Sequence, residues 1–335
     1  MKRTSLKFVA PVLAGLMAVA SCACLKHGES KDRTVTIGIS WCSDTTSEFY
    51  TNIVKTVREA GADPVLMPQV VNVNIPCADG YVSSECIDSN GFLTERYSEM
   101  LKRNPSAGSN VREVLEGMDA VIFTGGEDIS PTLFAAPQPW HGIGEERDYN
   151  ATRDVNDYIL MSYCIEQDIS VIGFCRGMQM LGAASGADII QDIPSYFAGK
   201  GQDYDYLHRN RKAGNGYRDY SPHSVTVSRG SALYRISGRT ATLEGVPSWH
   251  HQVLGSVEGT QLSVTGFTPT NGENFIEAIE RRDRTLVIGL QFHPEAAVVK
   301  YDTGAWNAGD FLDRDQALGI FRNFIKMVKE RGRRD

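Results

Sequence analysis

The chain has no surplus of positive charge. Its 34 Lys and Arg are outnumbered by 41 Asp and Glu, giving a formal net charge of −7, so the basic face that a nucleic-acid binder presents is missing. It also lacks an apolar run long enough for a permanent membrane span. The N-terminal run, residues 8–20, falls short of the roughly 20 residues such a helix needs. No internal repeat and no second-domain signature interrupt the sequence. What remains is an ordinary globular composition, 41% hydrophobic and 22% charged over 335 residues, with length for one large domain or two small ones.

The two ends differ from the middle. Lys2, Arg3 and Lys7 precede the apolar residues 8–20, a pattern that reads as a signal peptide covering residues 1–21. Val19-Ala20-Ser21-Cys22 resembles a bacterial lipobox, in which Cys22 is lipidated and becomes the first mature residue. A plain secretory signal cleaved nearby is the alternative. Loss of residues 1–21 removes three positive charges and no negative one, taking the charge from −7 to −10. Residues 22–33 are polar and read as a tether, followed by a single domain over 34–335. The expected location is the bacterial cell envelope, after export, with membrane contact through the N-terminal lipid alone. Export permits disulfides, and Cys77 and Cys86 flank a short polar stretch that a bridge would staple; Cys42 and Cys164 sit in apolar surroundings and read as buried thiols.

The chemistry gathers at residues 171–182, VIGFCRGMQMLG. A short apolar run stops at Gly173-Phe174-Cys175-Arg176-Gly177 and a helical pattern follows, so this is strand, tight turn, helix. Glycines two residues either side of Cys175 relieve crowding and let the turn hold a strained central residue, as in a nucleophile elbow. The helix N-terminus that follows favours a thiolate. A cysteine nucleophile needs a base and a group that orients the base, and these can lie far away in sequence. Residues 286–295, LVIGLQFHPE, supply both. An apolar strand delivers His293, Pro294 stops it, and Glu295 stands two residues on, within reach of the imidazole.

Together GFCRGMQMLG, QFHPE, the turn FTGGEDISP and the segment SWHHQ resemble the class I glutamine amidotransferase-like superfamily. Within it they are similar to the peptidase C26 branch, which contains gamma-glutamyl hydrolases and gamma-glutamyl-GABA hydrolases. The resemblance runs from about residue 35 to the C-terminus. It implies a flavodoxin-like glutamine amidotransferase fold and a Cys175-His293-Glu295 triad. It also implies an oxyanion hole from the amides of Gly126 and Arg176, and a substrate site bordered by Gly125, Gln179, His250 and His251. His250 is expected in the pocket ahead of His251. Residues 153–157, RDVND, resemble a family pattern that has glutamate where Asp157 stands. The shorter side chain puts a carried-over role in doubt, and a solvated helix start is the competing reading.

Strand and helix alternate along the rest at spacings that predict an α/β, doubly wound and mostly parallel sheet flanked by helices. Strand-like runs between residues 223 and 292 would widen that sheet or form a small accessory antiparallel sheet. Residues 69–109 break the rhythm with Asn, Pro and Gly. A long irregular insert of this kind is usually functional or mobile, and it is expected to wall the active site. Residues 313–331 form an amphipathic helix with Leu318, Phe321, Phe324, Ile325 and Val328 on one face.

The expected reaction is hydrolysis of a small gamma-glutamyl amide, with no cofactor. No metal is expected: adjacent residues on an extended chain point His250 and His251 to opposite faces, and no Cys, Asp or Glu completes a ligand spacing nearby. A glutaminase subunit of an amidotransferase would use the same triad, but the chain has no synthase domain. A tethered, non-catalytic binding lipoprotein would have no need of all three triad residues. A homodimer is compatible with each reading.

Overall fold

The computed structural model describes residues 33–137, 140, 147–211 and 218–332. The expected signal peptide, Cys22 and all of the expected tether except Arg33 lie outside the described residues. Among the described residues no helix is long and apolar enough to cross a membrane.

Nine strands form one sheet. In chain order they are β1 (Thr36–Ile39), β2 (Asp63–Leu66), β3 (Ala120–Phe123), β4 (Ser170–Phe174), β5 (Ser221–Val227), β6 (Thr242–Ser248), β7 (Leu262–Thr270), β8 (Glu273–Arg281) and β9 (Val287–Leu290). Their spatial order is β6-β5-β7-β8-β9-β4-β3-β1-β2. Pairing is parallel from β2 to β9 and antiparallel from β9 to β6. The hairpin strands therefore widen the main sheet, and only two-residue ribbons stand apart from it.

The inner parallel strands β3, β4 and β9 are short and buried throughout because helices cover both faces. Alternation along β4 shows how: Ile172 and Phe174 join the core under α1 (Glu48–Glu59), α8 (Pro294–Asp302) and α9 (Arg314–Arg331), while Val171 joins the core under α4 (Ala151–Glu166) and α5 (Arg176–Ala184). All five apolar residues expected on α9 are buried, and Phe321 stacks on Phe174 with centroids 5.2 Å apart. Each such side chain contributes about 1.5–3 kcal/mol when fully buried.

Residues 69–109 carry α2 (Glu95–Arg103) and a two-residue ribbon, Cys77–Ala78 with Tyr81–Val82. Their buried Val70, Ile75, Leu93 and Leu101 belong to the α4 and α5 core. The segment is tied down by Val70 N–H to Asn156 Oδ1 at 2.7 Å, Val82 N–H to Thr152 Oγ1 at 2.9 Å and Leu93 N–H to Ser130 Oγ at 2.9 Å. It is a packed flank of the sheet. Cys77 and Cys86 are free thiols, one exposed and one buried, so the expected bridge is not present here. Cys86 faces inward, with Sγ 3.8 Å from the Pro76 carbonyl. Cys42 and Cys164 are buried thiols, as expected.

Candidate active site

Parallel pairing of β3, β4 and β9 sends three successive chain ends to one edge of the sheet. Phe123 pairs with Gly173, and Phe174 with Leu290, so the Gly125-Gly126 turn, Cys175 and His293 all emerge at the carboxyl edge where open α/β sheets bind ligands.

Cys175 caps α5 with φ 48° and ψ −105°, a left-handed conformation that costs an L-residue of order 1–3 kcal/mol and persists only where its surroundings enforce it. Here they do. Its N–H donates to the Leu290 carbonyl at 2.7 Å, and β4 and α5 approach so closely that a Cβ on Gly173 would lie 2.5 Å from the Gly177 backbone. The residue is only 6% exposed. Its sulfur faces a cavity of about 420 Å³ lined by both polar and aromatic groups, with the Trp249 carbonyl oxygen 3.8 Å away.

His293 is fully buried. Its Nδ1 meets Glu295 Oε1 at 2.7 Å, which requires Nδ1 to carry the proton and leaves Nε2 for the sulfur. The ring lies between Phe49 and Tyr220, with centroids at 5.1 and 5.7 Å. Burial alone would lower the imidazole's pKa. The Glu295 carboxylate and the Cys175 sulfur outweigh it and push the value up to about 10, which favours an imidazolium.

Both glycines of the turn are sterically required. A Cβ on Gly125 would lie 2.7 Å from His293 Cε1, and one on Gly126, whose φ is 136°, would lie 2.1 Å from Arg153 Nη1. The Gly126 amide and that of Arg176 sit at the ends of adjacent strands. Arg176 is the first residue of α5, so its N–H has no acceptor inside the helix.

The first turn of α4 corrects the solvated reading. Arg153, Asp154 and Asp157 are all buried. Arg176 Nη2 donates to Asp154 Oδ1 at 2.7 Å and Nη1 to Asp157 Oδ2, so the shorter side chain at 157 still reaches its partner. Asp154 accepts from Ser130 N–H at 3.0 Å and Oγ–H at 2.6 Å. Arg153 Nη2 donates to Thr124 Oγ1 and the Gly125 carbonyl, both at 2.8 Å, and Nη1 to Glu127 Oε2. Burial would raise the Glu127 carboxyl, but the Arg153 and Arg176 guanidiniums prevail and hold it at about 2. The start of α4 thus ties the Gly125-Gly126 turn to Arg176, the residue after Cys175.

Gln179, one turn beyond Cys175, lines the cavity and donates Nε2 to the Gln252 carbonyl at 3.2 Å. His251 lies between Asp192 Oδ1 at 3.0 Å and Asp128 Oδ2 at 3.1 Å. Burial opposes its protonation, yet those carboxylates raise its pKa. His250 borders the cavity as well. Its Nδ1 is 2.8 Å from the Gln252 carbonyl and its Nε2 faces Glu277, so, as at His251, both ring nitrogens face protein groups. Glu277 also corrects the expectation that no carboxylate completes a ligand set near His250. It lies 27 residues away on β8, a distance at which no spacing rule operates. Arg209, Asp128 and Asp148 line the cavity as well; Asp128 stands within the turn FTGGEDISP, while Arg209 and Asp148 belong to no motif. Among the described residues, none from 69–109 lines it, so the insert is not its wall. The insert stands one layer behind, with Phe92 against Tyr149 at 4.4 Å and Asn90 Oδ1 accepting from Arg147 at 2.7 Å.

Residues 100–295 match the peptidase C26 family. The chain is 28% identical over 200 residues to a candidate glutamine amidotransferase of Mycobacterium tuberculosis, covering 59% of this chain and 58% of that one. To protein NtpR of Enterococcus hirae it is 29% identical over 182 residues, 54% of this chain and 68% of that one. To the gamma-glutamyl-gamma-aminobutyrate hydrolase of Escherichia coli O157:H7 it is 23% identical over 205 residues, 61% of this chain and 70% of that one. The chain therefore spans less than two thirds of the first of these relatives. Among solved structures, the glutaminase domain of Trypanosoma brucei CTPS has a TM-score of 0.48 at 12% identity, covering 89% of this chain and 94% of that one.

Proposed function

The chain belongs to the peptidase C26 family, and on that premise we propose that it is a cysteine hydrolase that cleaves gamma-glutamyl amides through a thioester on Cys175. Hydrolase or glutaminase-type chemistry is what the family supports. The observation that supports covalent catalysis at Cys175 is its left-handed conformation beside a buried His293 whose Nδ1 is held by Glu295 at 2.7 Å; the gamma-glutamyl substrate is supported by the likeness to the gamma-glutamyl-gamma-aminobutyrate hydrolase.

The steps follow from that placement. The Cys175 thiolate attacks the side-chain carbonyl carbon, and the amides of Gly126 and Arg176 receive the oxyanion, each such donor being worth about 10²- to 10³-fold in rate. The His293 imidazolium gives its Nε2 proton to the departing nitrogen, the carbon–nitrogen bond breaks, and an amine leaves. Neutral His293 then takes a proton from water as its oxygen adds to the thioester carbon. Collapse expels the thiolate, releases a gamma-carboxylic acid and restores the starting pair. Glu295 fixes the imidazole's tautomer and stabilises its charged form. At the cavity mouth, Asp128 and Asp148 suit the alpha-ammonium of a glutamyl unit, and Arg209 suits its carboxylate.

A release assay over a panel of gamma-glutamyl amides, with free glutamine included, tests the reading. The wild-type chain should release amine from at least one extended compound faster than ammonia from glutamine, and Cys175→Ala should release neither. Ammonia release from glutamine alone would move the chain to the glutaminases. Binding of the panel without release would make it a binding protein. We also propose that Cys22 is lipidated and holds the protein at the envelope; its support is the lipobox-like Val19-Ala20-Ser21-Cys22. Wild-type protein should partition into detergent and Cys22→Ser should stay in the aqueous phase, whereas equal partitioning would remove the lipid.

A further inference from the structure

Behind the cavity wall, three histidines and a glutamate from four separate segments converge. His208 precedes one two-residue ribbon, His223 lies on β5, His250 follows β6 and Glu277 lies on β8. All four are buried, and one ligand atom from each lies within 4.8 Å of the others. His208 Nδ1, His250 Nε2 and His223 Nε2 stand 3.1, 3.6 and 3.7 Å from Glu277 Oε1.

The outer nitrogens determine what the inner ones present. His250 Nδ1 is 2.8 Å from the Gln252 carbonyl, which can only accept, so this nitrogen carries the proton. His223 Nδ1 is 3.4 Å from the Ser224 carbonyl and 3.2 Å from Thr268 Oγ1. That hydroxyl spends its own proton on the Ser224 carbonyl at 2.8 Å, so His223 is the donor there too. Both rings, when neutral, therefore turn bare Nε2 lone pairs toward a carboxylate. His208 alone can change tautomer, because its outer Nε2 meets the Thr270 hydroxyl at 2.8 Å. Charging the other two rings would relieve the repulsion, but both are buried, where a charged imidazole is disfavoured. Neither Glu277 oxygen has a hydrogen-bond donor of ordinary geometry among the described residues. A buried carboxylate left so is costly by several kcal/mol. Lone pairs and a carboxylate aimed at one point are what a cation between them would reconcile.

We propose that His208, His223, His250 and Glu277 bind one zinc ion as a closed four-coordinate structural site that braces the cavity wall. Zinc bonds of about 2.0–2.1 Å at tetrahedral angles put neighbouring ligand atoms about 3.3–3.4 Å apart. The three separations from Oε1 bracket that edge, and modest side-chain rotation closes the wider ones. Three imidazoles and one carboxylate suit a borderline metal, and the hydrogen bonds on the outer nitrogens are the supports that ligating histidines ordinarily have. With four protein ligands and no exposed face, the ion has no open position for substrate, so its role is to hold shape. The chain it holds is next to the reaction: Trp249 faces the Cys175 sulfur, and His251 and Gln252 line the cavity.

The test uses the full chain, produced with zinc in the medium and purified without chelator. Elemental analysis should find about one zinc per chain, retained in Cys175→Ala, which excludes the active-site thiol as the ligand. Cobalt(II) should give the intense visible bands of a tetrahedral site without a thiolate charge-transfer band. Glu277→Gln and His223→Ala should each lose the metal, and the zinc-dependent rise in melting temperature seen for the wild type should vanish. Should those variants fail to fold, the cobalt spectrum and the zinc-dependent melting of the wild type decide the matter. A wild-type chain with no stoichiometric metal, no cobalt spectrum and no response to zinc overturns the proposal, as does full zinc content in the variants or its loss in Cys175→Ala.

Discussion

Replacing Gly125 with alanine should disable the site while leaving the fold in place. Gly125 is not among the left-handed glycines, so alanine meets no backbone strain there and the effect is purely steric. The new Cβ would stand 2.7 Å from His293 Cε1 and 3.4 Å from Phe49, where carbon atoms in comfortable contact are about 3.5–4.0 Å apart. About 1 Å must be found, and neither side yields it freely. The imidazole is held by Glu295 at 2.7 Å and flanked by Phe49 and Tyr220, while the turn is held by Arg153 on the Gly125 carbonyl at 2.8 Å. If the ring moves, Nε2 leaves the sulfur; if the turn moves, the Gly126 amide goes with it. A misplacement of this size costs about 100-fold in rate, and overpacking of this kind costs about 1–3 kcal/mol of stability.

Three measurements separate the outcomes: kcat/KM on the substrate found in the panel, the rate of iodoacetamide alkylation at Cys175, and the melting temperature. Alkylation is independent of substrate identity and reports whether His293 still supports the thiolate. We expect turnover down about 100-fold, slower alkylation and a chain that still melts cooperatively. A Gly125→Ala protein within about threefold of wild type in both turnover and alkylation, a difference of under 1 kcal/mol, would refute the packing of His293 against this turn.

Arg176→Ala should destabilise the chain by about 3–5 kcal/mol in denaturant unfolding, because it strands two buried carboxylates, Asp154 and Asp157; Arg176→Lys should restore only part of this, since a point charge cannot reach both partners as a guanidinium does. Acid should weaken the turn through Glu127. Its folded value of about 2 lies below the ordinary 4.5, so the unfolded chain takes up a proton first and the contribution is present above pH 4.5 and lost as pH falls toward 2. The stability difference between wild type and Glu127→Gln should therefore shrink from about 3 kcal/mol at pH 7 toward zero near pH 2, and a pH-independent difference would detach Glu127 from Arg153. Shortening residues 69–109 should lower melting temperature and reduce turnover of glutamine and extended substrates alike, since the segment packs on α4 and not on the cavity; selective loss on extended substrates would return it to the wall.

The parts of this molecule that were legible in the sequence are those whose signals are local. The elbow could be read because strand, glycine-flanked Cys175 and helix are contiguous, and His293 with Glu295 because strand end, proline and carboxylate lie within a few residues. Parallel alternation then places both at one sheet edge. What escaped was fixed by partners distant in sequence. The start of α4 looks solvent-facing in composition, and it is Arg176, 19 to 22 residues on, together with Ser130, that makes burial of Asp154 and Asp157 tolerable. Strand β6 carries no clean alternation of its own, because Gly245 and Pro247 interrupt it. It forms because β5 pairs along it, with an irregularity between His223 and Val225.

Strand β6 determines how the two halves of the sheet cooperate. The parallel half positions Cys175, His293 and the Gly125-Gly126 turn, and among the described residues the Trp249 side of the cavity is closed from elsewhere. The antiparallel half closes it: the His293 N–H donates to the Pro247 carbonyl at 2.8 Å, joining the end of β9 to the end of β6 immediately before Trp249. His250 N–H donates to the His208 carbonyl at 3.0 Å, which extends the connection into the histidine cluster on β5 and β8. A shift of β6 would therefore move the base and the wall together, and the cluster anchors that wall two residues from the strand's end. Sequence spacing could not show this, since its four members are separated by 15, 27 and 27 residues and meet only through antiparallel pairing. Their placement makes the antiparallel extension part of the active site's geometry, because it sets where Trp249, His251 and Gln252 stand relative to Cys175.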